Sequence, residues 1–258
     1  MDIRYDVVHT DGVARRLVLE RAANVRDLGG FATPDGLTAF GRVLRADQLG
    51  MLTDGDVAML REGAAVVRTV DLRGLDEVGA LGRGRLADAG VDHLHLPIRD
   101  RANDPEVLAA RRGRTPAQVY LDQLEQAPVR YLAAVEALTA DGTSVIHCTA
   151  GKDRTGLSAM LVLGALGVAD DAIVDDYAAT ARVPSDVKQA SRDPNADAFW
   201  ADYTRHADTA DVQTDASMSV IMRELLELVD GRWGGIPEYF AAYDATPLID
   251  GLRRRLLA

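Results

Sequence analysis

The segment Val145-Ile146-His147-Cys148-Thr149-Ala150-Gly151-Lys152-Asp153-Arg154-Thr155-Gly156 leaves few folds open to this chain. A short β-branched run enters it, a glycine sits in its middle, and the apolar stretch Leu157 to Val168 leaves it. That order reads as strand, tight loop and helix N-terminus. Such a loop turns successive backbone N–H groups into one concavity, and the helix end adds partial positive charge there. A dianionic phosphate group fits the concavity. Cys148, the only cysteine in 258 residues, stands at its base, and Arg154 stands at its far rim.

The rest of the chain supplies a setting for that loop. Val13 to Glu20 has strand character and pairs as a hairpin with Ile3 to His9 in this reading. Arg42 to Ala46, Ala65 to Leu72, Val91 to Leu96 and Thr143 to His147 read as further strands, the third ended by Pro97. Thr53 caps a helix through Arg61, with Asp54 and Asp56 in its first turn. Pro128 to Ala140 is helical, with Tyr131, Val135 and Leu138 on one face. Residues 170–258 read as all helix, and Met218, Ile221, Met222, Leu225, Leu226 and Val229 form a stripe of period near 3.6. Strands alternating with helices imply an α/β fold: a mainly parallel central sheet flanked by helices, within a single domain over 1–258. The loop then lies at the carboxyl end of a strand, where open α/β sheets bind ligands.

Composition closes off other classes. Apolar residues make up 47% of the chain, enough for a sizeable core, and the net charge of −11 excludes a nucleic-acid partner that needs a basic face. A single cysteine excludes an intrachain disulfide and a cysteine-rich zinc site. His93 and His95 alternate on a strand, but no third ligand accompanies them, so no metal is expected. The longest apolar run is too short to span a bilayer, and Met1 to Val8 has no long apolar core. A cytoplasmic location is the expectation. Gly151-Lys152 is no Walker A end, because Asp153 fills the Ser/Thr position.

His147-Cys148-x5-Arg154-Thr155 resembles the signature of the cysteine-dependent protein tyrosine phosphatase superfamily. The fuller run through Lys152-Asp153-Arg154-Thr155-Gly156 is similar to its bacterial, PtpB-like branch. Asn24-Val25-Arg26-Asp27-Leu28-Gly29-Gly30, Gly41-Arg42-Val43-Leu44-Arg45 and Asp71-Leu72-Arg73 fall in that branch's order. The resemblance implies a cofactor-free phosphoric monoester hydrolase acting through a phosphocysteine intermediate. Phosphotyrosine proteins are the expected substrates, with dual specificity and phosphoinositides within reach because Lys152 adds a positive charge at the mouth. It also implies that added helices near 101–126 and in the C-terminal region form a lid, and that signal-less secretion is open to the protein.

Each residue type has a role in that chemistry. Cys148 is the nucleophile, its thiolate favoured by oriented amides and by Arg154. The amides of Thr149, Ala150, Gly151, Lys152 and Asp153 hold phosphoryl oxygens, and Thr155 donates to the sulfur. The Arg154 fork binds two oxygens and acts most strongly in the transition state. His147 orients the loop. Candidates for the general acid are Asp153 within the loop, Asp71 at a strand end and Asp100 after Leu96-Pro97-Ile98-Arg99; the resemblance favours Asp153, with Asp100 as runner-up. Asp71 and Arg73 either line the pocket or form a buried ion pair. Asn24 to Gly30 packs beneath the loop, tied to it through Arg26 or Asp27. A rhodanese-like sulfurtransferase and a non-catalytic phosphate-binding module are the alternatives, although the former usually lacks the Arg-Thr ending and the latter would not keep Cys148. Arg154→Lys keeps the charge and loses the fork, so kcat with an aryl phosphate should fall by about two orders of magnitude or more; steady-state kinetics showing wild-type turnover would remove the clamp.

Overall fold

The structure is a computed structural model that describes residues 3–100, 112–206 and 214–257. Among the described residues nine strands follow in order: β1 (Tyr5–Val7), β2 (Ala14–Leu17), β3 (Arg26–Asp27), β4 (Ala32–Thr33), β5 (Gly36–Leu37), β6 (Val43–Ala46), β7 (Val66–Asp71), β8 (Asp92–His95) and β9 (Thr143–His147). Seven form one sheet in the order β1-β2-β3-β6-β9-β7-β8, and β4 and β5 make a separate hairpin. The four strands β6, β9, β7 and β8 run parallel to one another, while β1 with β2, β2 with β3 and β3 with β6 pair antiparallel. The central parallel part is as expected; the antiparallel flank begins with the hairpin at the N-terminus.

Helices cover both faces of the sheet. Ile146, Val43 and Val70 point into one apolar cluster, and Val145, Leu44 and Val66 into another. That alternation follows from the two-residue period of a strand. The Asp153–Ala165 helix buries eleven of its thirteen residues. A helix with no exposed face shows no amphipathic period, which is why Leu157 to Val168 reads as one apolar run. The Asp215–Trp233 helix instead buries one stripe, Met218, Met222, Leu225, Leu226 and Val229, and ends at Gly234 with φ +95°. Thr53 caps the Asp54–Ala58 helix through Asp56, and the chain continues as a π-helix over Met59–Gly63. Among the described residues no helix is long and apolar enough to cross a membrane. Of the expected lid segment, residues 101–111 lie outside the described residues, and Pro116–Gln126 is a helix capped by Thr115.

The topology fixes where the loop emerges. β9 is central, flanked by β6 and β7, with Ala46 and Asp71 both in register with His147. The turn beyond it needs Gly151, whose φ is +65° and where an added Cβ would lie 2.6 Å from the Ala46 carbonyl oxygen. Gly151→Ala combines an unfavourable backbone angle with a backbone clash, so it should cost about 1–3 kcal/mol in a thermal or urea melt. It should lower kcat as well; a variant as stable and active as wild type would show that the loop has room the geometry denies.

Candidate active site

The loop connects β9 to the Asp153–Ala165 helix, and the side chains it carries are mostly buried. Cys148 is 2% exposed and Arg154 4%. Two groups from distant sequence tie its carbonyl oxygens down from beneath. Asn24 Nδ2 donates to the carbonyls of Ala150 (3.2 Å) and Gly151 (3.1 Å). Arg45 Nη2 donates to Gly151 at 2.8 Å. With its oxygens engaged on the outside, the loop keeps its N–H groups for the concavity.

The ties are held in turn by a buried ionic frame. Asp176 of the Asp170–Ala178 helix accepts from Arg45 and, at 2.8 Å, from Arg26 Nε. Burial alone would raise its pKa, but the two guanidiniums and His9 hold the carboxyl far below the usual range. Arg26 also bonds Asn24 Oδ1 at 2.5 Å. The upstream motif therefore does sit under the loop, as expected, but the direct contacts come from Asn24 and Arg45. Arg26 acts through Asp176 and Asn24. Asp27 turns away, accepting from Gly29 N and Gly41 N at 2.8 Å each; burial pushes its pKa up to about 6 despite those bonds.

Arg154 is oriented by Glu77, a residue absent from the sequence reading. Its Nη1 and Nη2 both donate to the Glu77 carboxylate, Nη2 at 2.7 Å, and Nη1 also reaches the Leu72 carbonyl at 3.3 Å. A guanidinium has five N–H donors in a plane. Three are used among the described residues, which leaves Nε–H and the second Nη2 hydrogen side by side, the pair a phosphate would take. Thr149 Oγ1 and, at 2.7 Å, Gly74 N also donate to Glu77. Burial favours the neutral acid, but Arg154 first, then these bonds, bring the Glu77 pKa down to about 2. The local signal around Glu77, glycine three residues before glutamate, is half a capping box; it marks a helix start and does not point to Arg154.

The remaining expected residues divide. Asp153, with a side chain 36% exposed, begins the helix, and Lys152 Nζ stands 3.6 Å from its Oδ1. Burial would raise its pKa, but Lys152, a Tyr120 hydrogen bond, Arg154 and Arg99 lower it. Asp100, the runner-up, pairs at the surface with Arg130 (2.8 Å, side chain 69% exposed). Asp71 is fully buried and gripped by Arg73 through Nε (2.9 Å) and Nη2 (2.6 Å), so it takes the ion-pair form and not a place in the pocket lining. The Thr155 hydroxyl is buried without a partner among the described residues, so its expected bond to the sulfur is not formed in this state. His147 is fully buried, its Nδ1 3.4 Å from the Cys148 carbonyl oxygen. Burial pushes its pKa down to about 4 against the pull of Asp71, so it is neutral near pH 7.

Two residues whose charges are felt at the loop also escaped the sequence reading. Tyr203 of the Asp197–His206 helix stands close enough to Asp153 and Cys148 for their charges, after burial, to hold its hydroxyl far above the usual range. Lys188 of the Ser185–Ala190 helix has its pKa lowered by burial and next by Lys152, so the two cations share one neighbourhood. Among the described residues no His, Cys, Asp and Glu cluster could hold a metal ion.

The model of the tyrosine phosphatase family matches residues 17–258. A Cupriavidus necator protein carrying the name of a tyrosine-protein phosphatase is 35% identical over 174 residues, covering 62% of this chain and 61% of that protein. The triple specificity protein phosphatase PtpB of Mycobacterium tuberculosis is 35% identical over 189 residues, covering 62% of this chain and 67% of PtpB. A tyrosine-protein phosphatase of Nostoc commune is 30% identical over 141 residues, covering 54% of this chain and 48% of that enzyme. The chain thus spans about half to two thirds of the length of these relatives. The crystal structure of P. aeruginosa TpbA aligns with 79% of this chain and 97% of its own at 19% identity, but its TM-score of 0.32 is too low to bear on the site.

Glu77→Gln removes the charge and keeps the shape. Glu77 ionises far more readily folded than at its ordinary value of 4.5. Its contribution to stability is therefore complete above that pH and is lost as pH falls towards about 2. Melts of wild type and Glu77→Gln should differ most above pH 5 and converge in acid, and kcat of the variant should fall about 10–100-fold as the fork tilts. A stability gap that stays constant through the acid window would contradict the pairing.

Proposed function

The chain belongs to the tyrosine phosphatase family, and from that premise we propose that it hydrolyses phosphomonoesters through a phosphocysteine intermediate. Cys148 Sγ, as thiolate, attacks phosphorus from the base of the loop. The bond from phosphorus to the ester oxygen breaks, and Asp153 gives that oxygen its proton. Water then attacks the thiophosphate, Asp153 takes the water's proton, inorganic phosphate leaves and the thiolate returns. Arg154 and the amides of Thr149 to Asp153 hold the equatorial oxygens, where charge spreads in the transition state. The observation that carries this reading is the Arg154 fork, held from behind by Glu77, with Nε–H unpartnered among the described residues and the charge of Cys148 close enough to act on it.

Asp153 is ionised in the free site. A phosphate dianion entering beside it raises its proton affinity, as like charges do, so the acid is armed by the substrate. The exposed ion pair of Asp100 with Arg130 makes it the weaker assignment. With guanidinium and amides supplying the positive field, the reaction needs no metal. Phosphotyrosine proteins are the leading substrates. Lys152, with Lys188 near it, favours substrates bearing a second anionic group, phosphoinositides among them. We read residues 1–258 as one phosphatase domain in which the helix carrying Tyr203 contributes to a cover over the loop.

The test is hydrolysis of para-nitrophenyl phosphate with and without EDTA. Wild type should be active in both, Cys148→Ser should lose about three or more orders of magnitude in kcat, and vanadate should inhibit. Asp153→Asn should slow substrates with poor leaving groups most, by about 10²–10⁴-fold. Activity that survives loss of the sulfur, or that follows Asp100→Asn instead of Asp153→Asn, would overturn the corresponding assignment.

A further inference from the structure

Asp153 is gripped by a side chain that the chemistry above does not use. Tyr120 lies on the Pro116–Gln126 helix, buried, and its hydroxyl donates to Asp153 Oδ1. Tyr177, also buried, meets the same hydroxyl at 2.9 Å with the two rings T-shaped. Each hydroxyl has one proton to donate. Tyr120 spends its own on Asp153, so the Tyr177 proton points at Tyr120, and the chain of donors runs one way. Tyr177 comes this close to the catalytic helix because position 156 is glycine: an added Cβ there would lie 2.8 Å from the tyrosine ring.

A partly exposed carboxylate could satisfy itself with water, so solvation alone does not call for a buried donor. A carboxylate in the first turn of a helix also has a competing attraction, the helix's own free N–H groups. The Asp153–Ala165 helix has no side-chain cap on its first residues. Without an anchor, Asp153 could fold back onto that end and point away from the loop. Tyr120 and Lys152 both contact Oδ1. The Tyr120 hydrogen bond goes to Oδ1 and not to Oδ2.

The geometry points to Tyr120 as a positioning residue for proton transfer: its hydroxyl, aimed by Tyr177, pins Asp153 Oδ1 and leaves Oδ2 to face the oxygen of the departing group. This rests on the assignment of Asp153 as the acid. Because the bond favours the ionised carboxylate, removing it makes Asp153 hold its proton to higher pH.

Tyr120→Phe keeps the ring and deletes the hydroxyl. Its kcat, which reports the substrate-bound enzyme, should be profiled against pH with aryl phosphates spanning good to poor leaving groups, alongside Tyr177→Phe, Asp153→Asn and Tyr120→Phe/Asp153→Asn. We expect Tyr120→Phe to lower kcat about tenfold for poor leaving groups and less for good ones, with KM little changed. The basic limb of its profile should move to higher pH. Tyr177→Phe should show the same changes in smaller degree, and the double variant should match Asp153→Asn alone. Uniform loss across leaving groups with an unmoved basic limb would mean Tyr120 is only structural and would overturn the proposal, as would a Tyr120→Phe variant indistinguishable from wild type. If Asp153→Asn itself leaves the leaving-group dependence intact, the assignment of the acid fails, and that failure is separate from any result with Tyr120.

Discussion

Everything at this site depends on the carbonyl oxygens of one loop being held from the outside. A loop of six or so residues has as many oxygens as N–H groups, and an anion tolerates only the latter. Asn24 and Arg45 take up the oxygens of Ala150 and Gly151. Once they are engaged, the amides have nowhere to point but inward. The shape of the loop is thus set by residues a hundred or more positions upstream.

Those ties would be worth little if they could rotate. Asp176 receives both Arg26 and Arg45, and Arg26 in turn fixes Asn24. Buried charges are costly unless paired and hydrogen-bonded, and here they are both. On the opposite side Glu77 does for Arg154 what Asp176 does for Arg45, neutralising the guanidinium while fixing its plane. The chain carries a net charge of −11, so a dianion approaches against the overall field. Positive potential is local to the loop, and much of it is backbone dipole.

The sequence was most readable where local chemistry decides structure. The strand, loop and helix around Cys148 follow from β-branching, glycine and an apolar run, and the cap at Thr53 follows from a hydroxyl side chain at a helix start. The parallel heart of the sheet followed from alternation of strands and helices. What could not be read was pairing over long sequence distance. That Asn24 and not Asp27 would reach the loop depends on how β3 lies against β6. Glu77 and Tyr120 come from elements whose local patterns describe a helix start and a helix face, with nothing to say that either faces Arg154 or Asp153. Asp71 and Asp100 both follow strands, which made them plausible pocket residues; Arg73 and Arg130 claim them instead.

The central claim is that phosphorus passes through sulfur, so that two displacements occur in sequence. The stereochemistry at phosphorus measures this directly. A phosphorothioate ester made chiral at phosphorus with two oxygen isotopes, turned over in water carrying the third, should give inorganic thiophosphate with overall retention of configuration, because two inversions cancel. Overall inversion would mean that water attacks the ester directly, and a sulfur anion set in a ring of amides would then not be the nucleophile.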